Sequence, residues 1–252
     1  MSSHAAGAAH GVPERNVTLS IVSHGQNALV NQLLGDIRAH CASRVALVLT
    51  ENIPDATTLD VAGLDVPVER IANASIKGFG ANHNAAFQRC RTPWFCVVNP
   101  DIRMPADPFP ALLAELQDPH AGVAGPMVRS PAGSVEDSAR RFPTVGSLLK
   151  KVFVDRRQPD YPTDRGVQDV DWIAGMFMLF RADDYRTVGG FDEAYFLYYE
   201  DVDLCRRLRS AGKSVRYIPA AEVVHDARRA SRRNVRLALQ HAKSVLRFWS
   251  VS

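Results

Sequence analysis

The sequence predicts an α/β domain built on a doubly wound, mainly parallel sheet. Between residues 17 and 98, short apolar strands rich in β-branched residues alternate with segments that have the apolar spacing of amphipathic helices. The chain has 252 residues and is 46% hydrophobic, which is enough for one large core. Its apolar runs are shorter than the roughly 18 residues that a membrane-spanning helix needs.

The elements follow one another as strand and helix. Strands are predicted at 17–22, 45–50, 66–71 and 94–98, with helices at 28–40 and at about 81–91. The second half predicts a strand at 170–181 interrupted by Gly175, a helix from about Asp201, and short strands at 214–217 and 222–224. In such sheets, ligands bind beyond the carboxyl ends of the strands.

Charge is distributed unevenly along the chain. From Arg206 to the end there are 12 Lys and Arg residues against two acids, a net charge of +10, whereas residues 1–205 carry −7. We expect residues 1–15 to form a disordered tail. The small and polar N-terminus lacks the charged start and apolar core of a secretory signal. The four cysteines have no CxxC spacing and are expected to be reduced, mostly buried thiols. A cytoplasmic protein is therefore expected.

Polar residues follow the predicted strands where a doubly wound sheet would bind a ligand. They include Ser23 after the first strand, Glu51 after the second, and Asn99-Pro100-Asp101 after the fourth. A hard carboxylate held by a rigid proline suits a divalent ion shared with a diphosphate, and Asp101 is the candidate. Taken alone, the tripeptide is explained at least as well by an Asx-Pro turn that opens a loop.

Two glycines, Gly78 and Gly80, occur where a loop enters the helix predicted at 81–91. They would let the backbone approach a phosphate or sugar, with the helix N-terminus facing its negative charge. Two glycines alone are weak evidence for a phosphate- or sugar-binding loop. Neither GxGxxG nor GxxxxGK[ST] occurs in the chain, which removes the dinucleotide-fingerprint and P-loop interpretations.

A long polar segment at 139–169 precedes the strand that contains Gly175. Its length is typical of a lid or an acceptor-binding element, and a solvated excursion explains it equally well. A glycine inside a buried strand predicts close approach by a ligand or by other backbone.

An acidic segment extends from 191 to 204. Five carboxylates flank an aromatic run here: Asp192, Glu193, Glu200, Asp201 and Asp203. Capping and solvation of a helix start would explain one or two of these acids. The neighbouring aromatic residues favour a partly desolvated carboxylate, which is a better general base.

Together, and in this order, the motifs resemble those of family 2 glycosyltransferases, most closely the bacterial rhamnosyltransferase-like branch. The resemblance covers roughly residues 17–249 and implies a GT-A fold, a nucleotide-sugar donor, a divalent ion and inversion at the anomeric carbon. It rests on Ser20-Ile21-Val22-Ser23, Gly78-Phe79-Gly80-Ala81 with Asn84, Asn99-Pro100-Asp101, Trp172 with Gly175, and Gly190-Phe191-Asp192-Glu193 to Leu204 with Gly212, Pro219 and His225.

The resemblance also implies roles for single residues. Asp101 matches the last acid of the family's metal-binding DxD element, and His225 matches the histidine that completes the ion's protein ligands. Asp201 matches the catalytic base of the ED motif, with Glu200 or Asp203 as the fallback. Donor-binding roles fall on Ser23, Glu51, Gly78, Asn84 and Asn99, while Trp172, Gly175 and Glu200 are placed on the donor-sugar or acceptor side.

Two positions depart from the family pattern. Asn99 replaces the first acid of DxD, so the ion has fewer protein carboxylates; Mg or Mn suits the remaining hard oxygen and imidazole ligands. Ser23-His24-Gly25-Gln26 replaces the more usual aromatic residue and asparagine after the first strand, which leaves the contact to the donor base open.

We expect the catalytic domain to span 16–228, with a donor half to about 105 and an acceptor half from 106, followed by a basic amphipathic helix at 229–252. Arginines and lysines surround apolar residues in this last segment, which suits an anionic lipid surface. A helix packed on the domain with a solvated basic face is an equal alternative.

By branch resemblance the expected donor is dTDP-rhamnose, with UDP-sugars next. The expected acceptor is a glycan or lipid-linked glycan of cell-surface polysaccharide synthesis, met at the inner face of the cytoplasmic membrane, with no nucleic acid as partner. The alternative is a non-catalytic module for lipid surfaces or nucleic acid on a degenerate transferase fold, which would not need Asp101, Asp201 and His225. A nucleotidyltransferase would also fit the metal, but this sequence lacks the basic glycine-rich N-terminal loop that such enzymes tend to have.

Overall fold

The computed structural model describes residues 15–144, 159–226 and 235–250. Residues 1–14 of the predicted tail, part of the predicted lid segment and the arginines between 228 and 233 lie outside the described residues. In the described part, no helix is long and apolar enough to cross a membrane.

The helices in the described part are α1 (Asn27–His40), α2 (Phe79–Phe87), α3 (Phe109–Glu115), α4 (Ala182–Thr187), α5 (Glu200–Ser210) and α6 (Val235–Ser250). The strands are β1 (Val17–His24), β2 (Val45–Ile53), β3 (Val68–Ala72), β4 (Trp94–Val98), β5 (Ile102–Arg103), β6 (Ala121–Arg129), β7 (Ala139–Arg140), β8 (Gln168–Val170), β9 (Trp172–Ile173), β10 (Phe177–Arg181) and β11 (Ser214–His225).

One large sheet organises the domain, in the order β3-β2-β1-β4-β10-β6-β11-β5, with β8 paired to β11. The first four strands are parallel, as the alternating pattern predicts. Strand β10 enters antiparallel between β4 and β6, and β11 then runs parallel to β6. A separate two-stranded sheet joins β7 to β9.

Helices cover both faces of the sheet, so the core has two halves. Successive side chains of a strand point into opposite halves of the core. In β4, Cys96 and Val98 face the half covered by α1 and α3, whereas Phe95 and Val97 face the half covered by α2, α4 and α5. This arrangement confirms the predicted doubly wound α/β architecture.

Several element boundaries differ from the prediction; β1 and β2, for example, end at His24 and Ile53 instead of 22 and 50. Strand β3 begins and ends later than 66–71. Helix α2 ends at Phe87 instead of 91, because the chain continues in tighter turns in which Arg89 N–H bonds Ala86 O at 3.0 Å and Cys90 N–H bonds Phe87 O at 2.9 Å. The two short strands predicted at 214–217 and 222–224 form one strand, β11, whose pairing with β6 shifts between Ile218 and Glu222.

The prediction of one strand at 170–181, interrupted only by Gly175, is wrong. It divides into β8, β9 and β10, which belong to two different sheets, and residues 174–176 form a bend between β9 and β10. Hydrophobicity alone does not separate a straight buried strand from a buried chain that changes sheets, since both are apolar throughout.

Strand β6 was not predicted, although it lies near the middle of the large sheet. Its sequence contains Gly122, Gly125 and Pro126, which disfavour strands. At Gly125 a Cβ would lie 2.8 Å from Cδ1 of Ile173, so the strand needs glycine there to pack against β9.

Candidate active site

Ser23 and Glu51 lie beside each other at the carboxyl edge of the sheet, where they are register partners on β1 and β2. The Ser23 hydroxyl oxygen accepts the N–H of Gln26 at 3.1 Å, and Glu51 Oε1 accepts Asn27 Nδ2 at 3.0 Å. Both side chains therefore organise the start of α1. Their contact with a donor nucleotide stays a prediction.

Three asparagines hold the loop that leads into α2. Asn52 Oδ1 accepts the Lys77 N–H at 2.9 Å. Asn73 Nδ2 donates to two oxygens, Asn52 Oδ1 at 2.9 Å and Asn82 Oδ1 at 2.6 Å. Asn82 Nδ2 then donates to Gly78 O at 2.9 Å. Two of these residues follow predicted strands, but no sequence signal identified Asn82 as the third member.

Protein neighbours explain why Gly78 and Gly80 have no side chain. A Cβ at Gly78 would lie 2.7 Å from the carbonyl oxygen of Phe196, and one at Gly80 would lie 2.6 Å from Phe191 Cβ. These glycines let the segment at 191–196 pack against α2. The approach of a phosphate to Gly78 stays a prediction.

Asn84 makes four hydrogen bonds, three that link α2 to that same segment and one to Tyr185 of α4. Its Oδ1 accepts the Tyr185 hydroxyl at 2.7 Å and the Phe191 N–H at 3.0 Å, and its Nδ2 donates to Phe191 O at 2.8 Å and to Glu193 Oε1 at 3.0 Å. The amide thus supports the chain that approaches Glu200, and its predicted donor contact is untested.

Asn99 and Asp101 lie in a turn directly after β4. The turn is closed by Ile102 N–H on Asn99 O at 3.2 Å, while Asn99 N–H donates to Met176 O at 2.9 Å. A backbone β-turn with Pro100 in its second position is therefore present, and it places Asp101 beside β11, where Asp226 N–H bonds Asp101 O at 2.9 Å.

His225 lies between two carboxylates. Its Nε2 is 3.3 Å from Asp101 Oδ2 and its Nδ1 is 2.7 Å from Glu136 Oε2. Burial alone would lower the pKa of His225, but the bonds and charges of Asp101 and Glu136 outweigh it and raise the pKa to about 9. Glu136 was missed by the sequence analysis, because it lies 89 residues before His225 in a segment without a recognisable motif.

The carboxylate of Asp101 and the imidazole of His225 are ligands that fit a hard divalent ion. Among the described residues, no group of three or more His, Cys, Asp or Glu side chains forms a metal site, so an ion would depend on oxygens from a bound ligand. Asp101 Oδ1 is buried and has no hydrogen-bond partner within the described chain. Glu136 can accept the Nδ1–H of His225 while Nε2 faces Asp101; a carboxylate in this position commonly orients a histidine that binds a metal.

Trp172 lies in β9, and Gly175 lies in the bend between β9 and β10. The Trp172 indole donates to Arg141 O at 2.9 Å, and the Arg140 guanidinium lies 5.2 Å from its ring centre. A Cβ at Gly175 would lie 3.2 Å from Phe79 Cζ and 3.6 Å from Asp201 Oδ2. The close neighbours at Gly175 are thus an aromatic ring and a carboxylate in place of the predicted backbone, and the approach of a ligand there stays a prediction.

Glu200 and Asp201 begin α5; Glu200 is buried and Asp201 is half-buried. Asp201 Oδ2 accepts the Gly175 N–H at 2.9 Å, and Oδ1 accepts its neighbour's N–H, that of Val202, at 2.9 Å. Burial raises the pKa of Asp201, although these two N–H donors and Arg140 act against the rise. Burial and the adjacent Asp201 charge raise the pKa of Glu200 to about 8.

Glu200 Oε2 is buried and lacks a hydrogen-bond partner among the described residues. A charge there would be costly, so Glu200 is the acid of the pair that favours the protonated form, while Asp201, which accepts two N–H bonds, is better placed to hold a negative charge. A desolvated carboxylate with a neutral neighbour is suited to accept a proton from a hydroxyl group.

Residues 175 and 176 connect the two acidic regions. Met176 O receives the Asn99 N–H from the turn that contains Asp101, and Gly175 N–H is bonded to Asp201. The two clusters, about 100 residues apart in sequence, therefore lie at the same carboxyl edge of the sheet and are connected through the dipeptide Gly175-Met176.

A doubly wound sheet with an acid-bearing turn after a central strand and an acid pair at a later helix start is the architecture of GT-A glycosyltransferases. GalNAc-T7, solved with UDP, GalNAc and Mn²⁺, superposes with a TM-score of 0.64 at 12% identity over 84% of this chain and 44% of that one. The mannosyltransferase PcManGT of Pyrobaculum calidifontis, solved with GDP-Man and Mn²⁺, gives 0.62 at 15% identity over 93% and 66%. These likenesses establish the fold.

The chain belongs to the family described as "Glycosyltransferase like family 2", whose profile matches residues 13–242. It is 30% identical over 248 residues to the rhamnosyltransferase WbbL of Escherichia coli K12, covering 92% of each chain. It is 36% identical over 168 residues to the N-acetylglucosaminyl-diphospho-decaprenol L-rhamnosyltransferase of Mycobacterium tuberculosis H37Rv. That match covers 61% of this chain and 54% of the mycobacterial protein. The family resemblance to the rhamnosyltransferase branch is thereby confirmed.

Proposed function

We propose that this chain is an inverting glycosyltransferase that moves a sugar, with rhamnose as the leading candidate, from a nucleotide diphosphate to a hydroxyl group of a glycan or lipid-linked glycan. The observation that carries the proposal is the pair formed by buried Glu200 and half-buried Asp201, bonded through Gly175 to the edge where Asp101 and His225 meet. A binding module on the same fold would have no use for a desolvated acid pair beside a metal-compatible carboxylate.

Asp201 serves as the base in this proposal. It removes the proton of the acceptor hydroxyl while that oxygen forms a bond to the anomeric carbon, and the bond from this carbon to the diphosphate breaks with its electron pair on the leaving group. Displacement in one step inverts the anomeric centre. Glu200, which retains its proton, keeps the pair at a single negative charge.

Asp101 and His225 would hold the divalent ion, Mg²⁺ or Mn²⁺, and Glu136 would orient His225. When bound, such an ion neutralises the negative charge that develops on the diphosphate leaving group. Asn99, Ser23, Glu51, Gly78 and Asn84 are proposed to line the donor side, and Trp172 with Gly175 the sugar or acceptor side. The two rhamnosyltransferase relatives support rhamnose as the sugar. The branch resemblance makes dTDP-rhamnose the leading donor, with UDP-sugars next.

A lipid-linked acceptor is favoured by the name of the mycobacterial relative, which specifies a diphospho-decaprenol. Helix α6 adds a surface that suits this acceptor: Leu239, Leu246 and Trp249 are exposed at helical spacing on a chain end of net charge +10. We propose peripheral attachment to the inner face of the cytoplasmic membrane, with the catalytic domain in the cytoplasm.

A donor screen tests the function. Purified protein is incubated with dTDP-rhamnose, UDP-sugars or GDP-sugars and Mg²⁺ or Mn²⁺, with thermal unfolding and release of nucleotide measured in parallel. We expect one nucleotide class to raise Tm only with the metal and to be released on addition of a lipid-linked glycan. The absence of both responses for every donor would contradict the proposal.

A further inference from the structure

Two consecutive tyrosines immediately before the acid pair have left-handed backbone. Tyr198 and Tyr199 both have φ of 71°, and among the described residues they are the non-glycine residues with positive φ. Bulky side chains disfavour this region, so it persists only where the surrounding structure enforces it. Such strain commonly marks functional sites, and here Tyr199 is the N-cap of α5, the helix that begins with Glu200.

Helix α6 contacts both strained residues. The His241 ring lies 5.4 Å from the Tyr198 ring and 5.5 Å from the Tyr199 ring, centre to centre, in edge-on geometry. The buried Phe248 ring lies 5.5 Å from Tyr199, and the Arg206 guanidinium of α5 lies 4.6 Å from the centre of Phe248. Aromatic pairs of this kind favour particular ring orientations and thereby restrict the backbone that carries them.

The same helix fastens the chain before the tyrosines. Ser244 Oγ donates to Leu197 O at 2.9 Å, and Arg247 Nη2 donates to Asp192 Oδ2 at 2.6 Å. Helix α6 therefore contacts the segment from 192 to 199 at several points, all on the approach to the acid pair.

The backbone held in this way determines where Asp201 lies. Tyr199 O accepts the Asp203 N–H at 2.9 Å, which forms the first turn of α5, and the Val202 N–H of that turn bonds Asp201 Oδ1. A rotation of the peptide at Tyr199 would move the first turn and separate Asp201 from the Gly175 N–H.

We propose that α6 is a positioning element of the active site: His241 and Phe248 hold Tyr198 and Tyr199 in left-handed backbone and so fix the orientation of Asp201. Both are positioning residues that act through the tyrosines. The kinetic part of this inference rests on the proposed function; the structural part does not.

Hydrogen–deuterium exchange of the full chain tests the structural part without any assumption about activity. His241→Ala and Phe248→Ala should speed exchange of the peptide covering 197–203 by at least about tenfold, while the peptides of β1 and β4 stay unchanged. His241→Phe and Phe248→Tyr keep a ring at each position and should restore slow exchange. Ser250→Ala is the control, because this exposed residue bonds only the carbonyl of Arg247 on its own helix.

The kinetic part uses the same variants in the transfer assay. A 1 Å displacement of the base predicts that kcat falls about 10- to 100-fold in the two alanine variants, with the KM for the donor unchanged and activity restored in the aromatic variants. Unchanged exchange at 197–203 in both alanine variants would overturn the inference, as would a loss confined to the donor KM. A wild-type protein without transferase activity would overturn the proposed function and leave the exchange result to decide this inference.

Discussion

Asp201 is bonded to the backbone of Gly175, 26 residues earlier in the chain, with 2.9 Å between Oδ2 and the amide nitrogen. The next residue, Met176, accepts the Asn99 N–H from the turn that carries Asp101. The dipeptide Gly175-Met176 thus joins the proposed base to the turn that carries the proposed metal ligand. The bend at 174–176 therefore sets the geometry of the site as well as ending a strand.

The buried Glu200 makes stability depend on pH. Its folded pKa, about 8, is above the ordinary value of 4.5, so the folded protein retains a proton that the unfolded chain loses. The stability associated with protonated Glu200 is fully present below about pH 4.5 and is lost as pH rises toward 8, by up to about 1.4 kcal/mol per pH unit.

Glu200→Gln should remove this slope, because glutamine resembles the protonated acid and does not ionise. Urea unfolding at pH 5, 7 and 8.5 measures it: the variant and the wild type should differ little at pH 5, and the variant should be the more stable at pH 8.5. Parallel stability curves over this range would show that Glu200 ionises normally in the folded protein.

Metal affinity should depend on Asp101, His225 and Glu136 to different degrees. Asp101→Ala and His225→Ala remove proposed ligands and should abolish measurable binding of Mn²⁺ in the presence of donor nucleotide. Glu136→Gln removes only the carboxylate behind His225 and should weaken binding about 10- to 100-fold. Titration calorimetry with Mn²⁺ provides the measurement.

The control for this series is Asp183→Asn, which removes an exposed acid of α4 that pairs with Arg186. It should leave Mn²⁺ affinity unchanged. Wild-type affinity in the His225→Ala protein would assign the ion to other residues and remove His225 from the proposed site.

Asn84→Ala should destabilise the protein more than a surface change would. The substitution leaves the Tyr185 hydroxyl and the Phe191 backbone without their partner, and an unsatisfied buried group costs about 1–3 kcal/mol. Urea unfolding should show a loss of this size. A stable Asn84→Ala protein with weakened donor binding would instead support the donor contact expected from the family resemblance.

Most of the fold could be predicted because its first half has regular periodicity. The parallel strands β1, β2 and β4 and helix α1 each have a clear apolar pattern, and the order of strand and helix defines the sheet. Strand β6 was missed because its glycines and proline disfavour strands, and what stabilises it there is packing against β9 and pairing with β10 and β11.

The candidate site was predictable only in part, for a related reason. Asp101, Asp201 and His225 lie in motifs and were identified from them. Glu136 and His241 have no local motif, because their importance arises from contacts across more than 40 residues of chain. Tyr198 and Tyr199 were identified only as aromatic neighbours, since left-handed backbone at tyrosine has no signature in sequence.

The most direct test of the proposed mechanism is the transfer rate of Asp201→Asn. Asparagine keeps the size of the side chain and one acceptor oxygen for Gly175, so we expect wild-type folding, wild-type donor affinity and wild-type Mn²⁺ affinity. Without the carboxylate, transfer to the glycan acceptor should fall about 10²- to 10⁴-fold. Transfer at the wild-type rate by purified Asp201→Asn protein would contradict the assignment of Asp201 as the base.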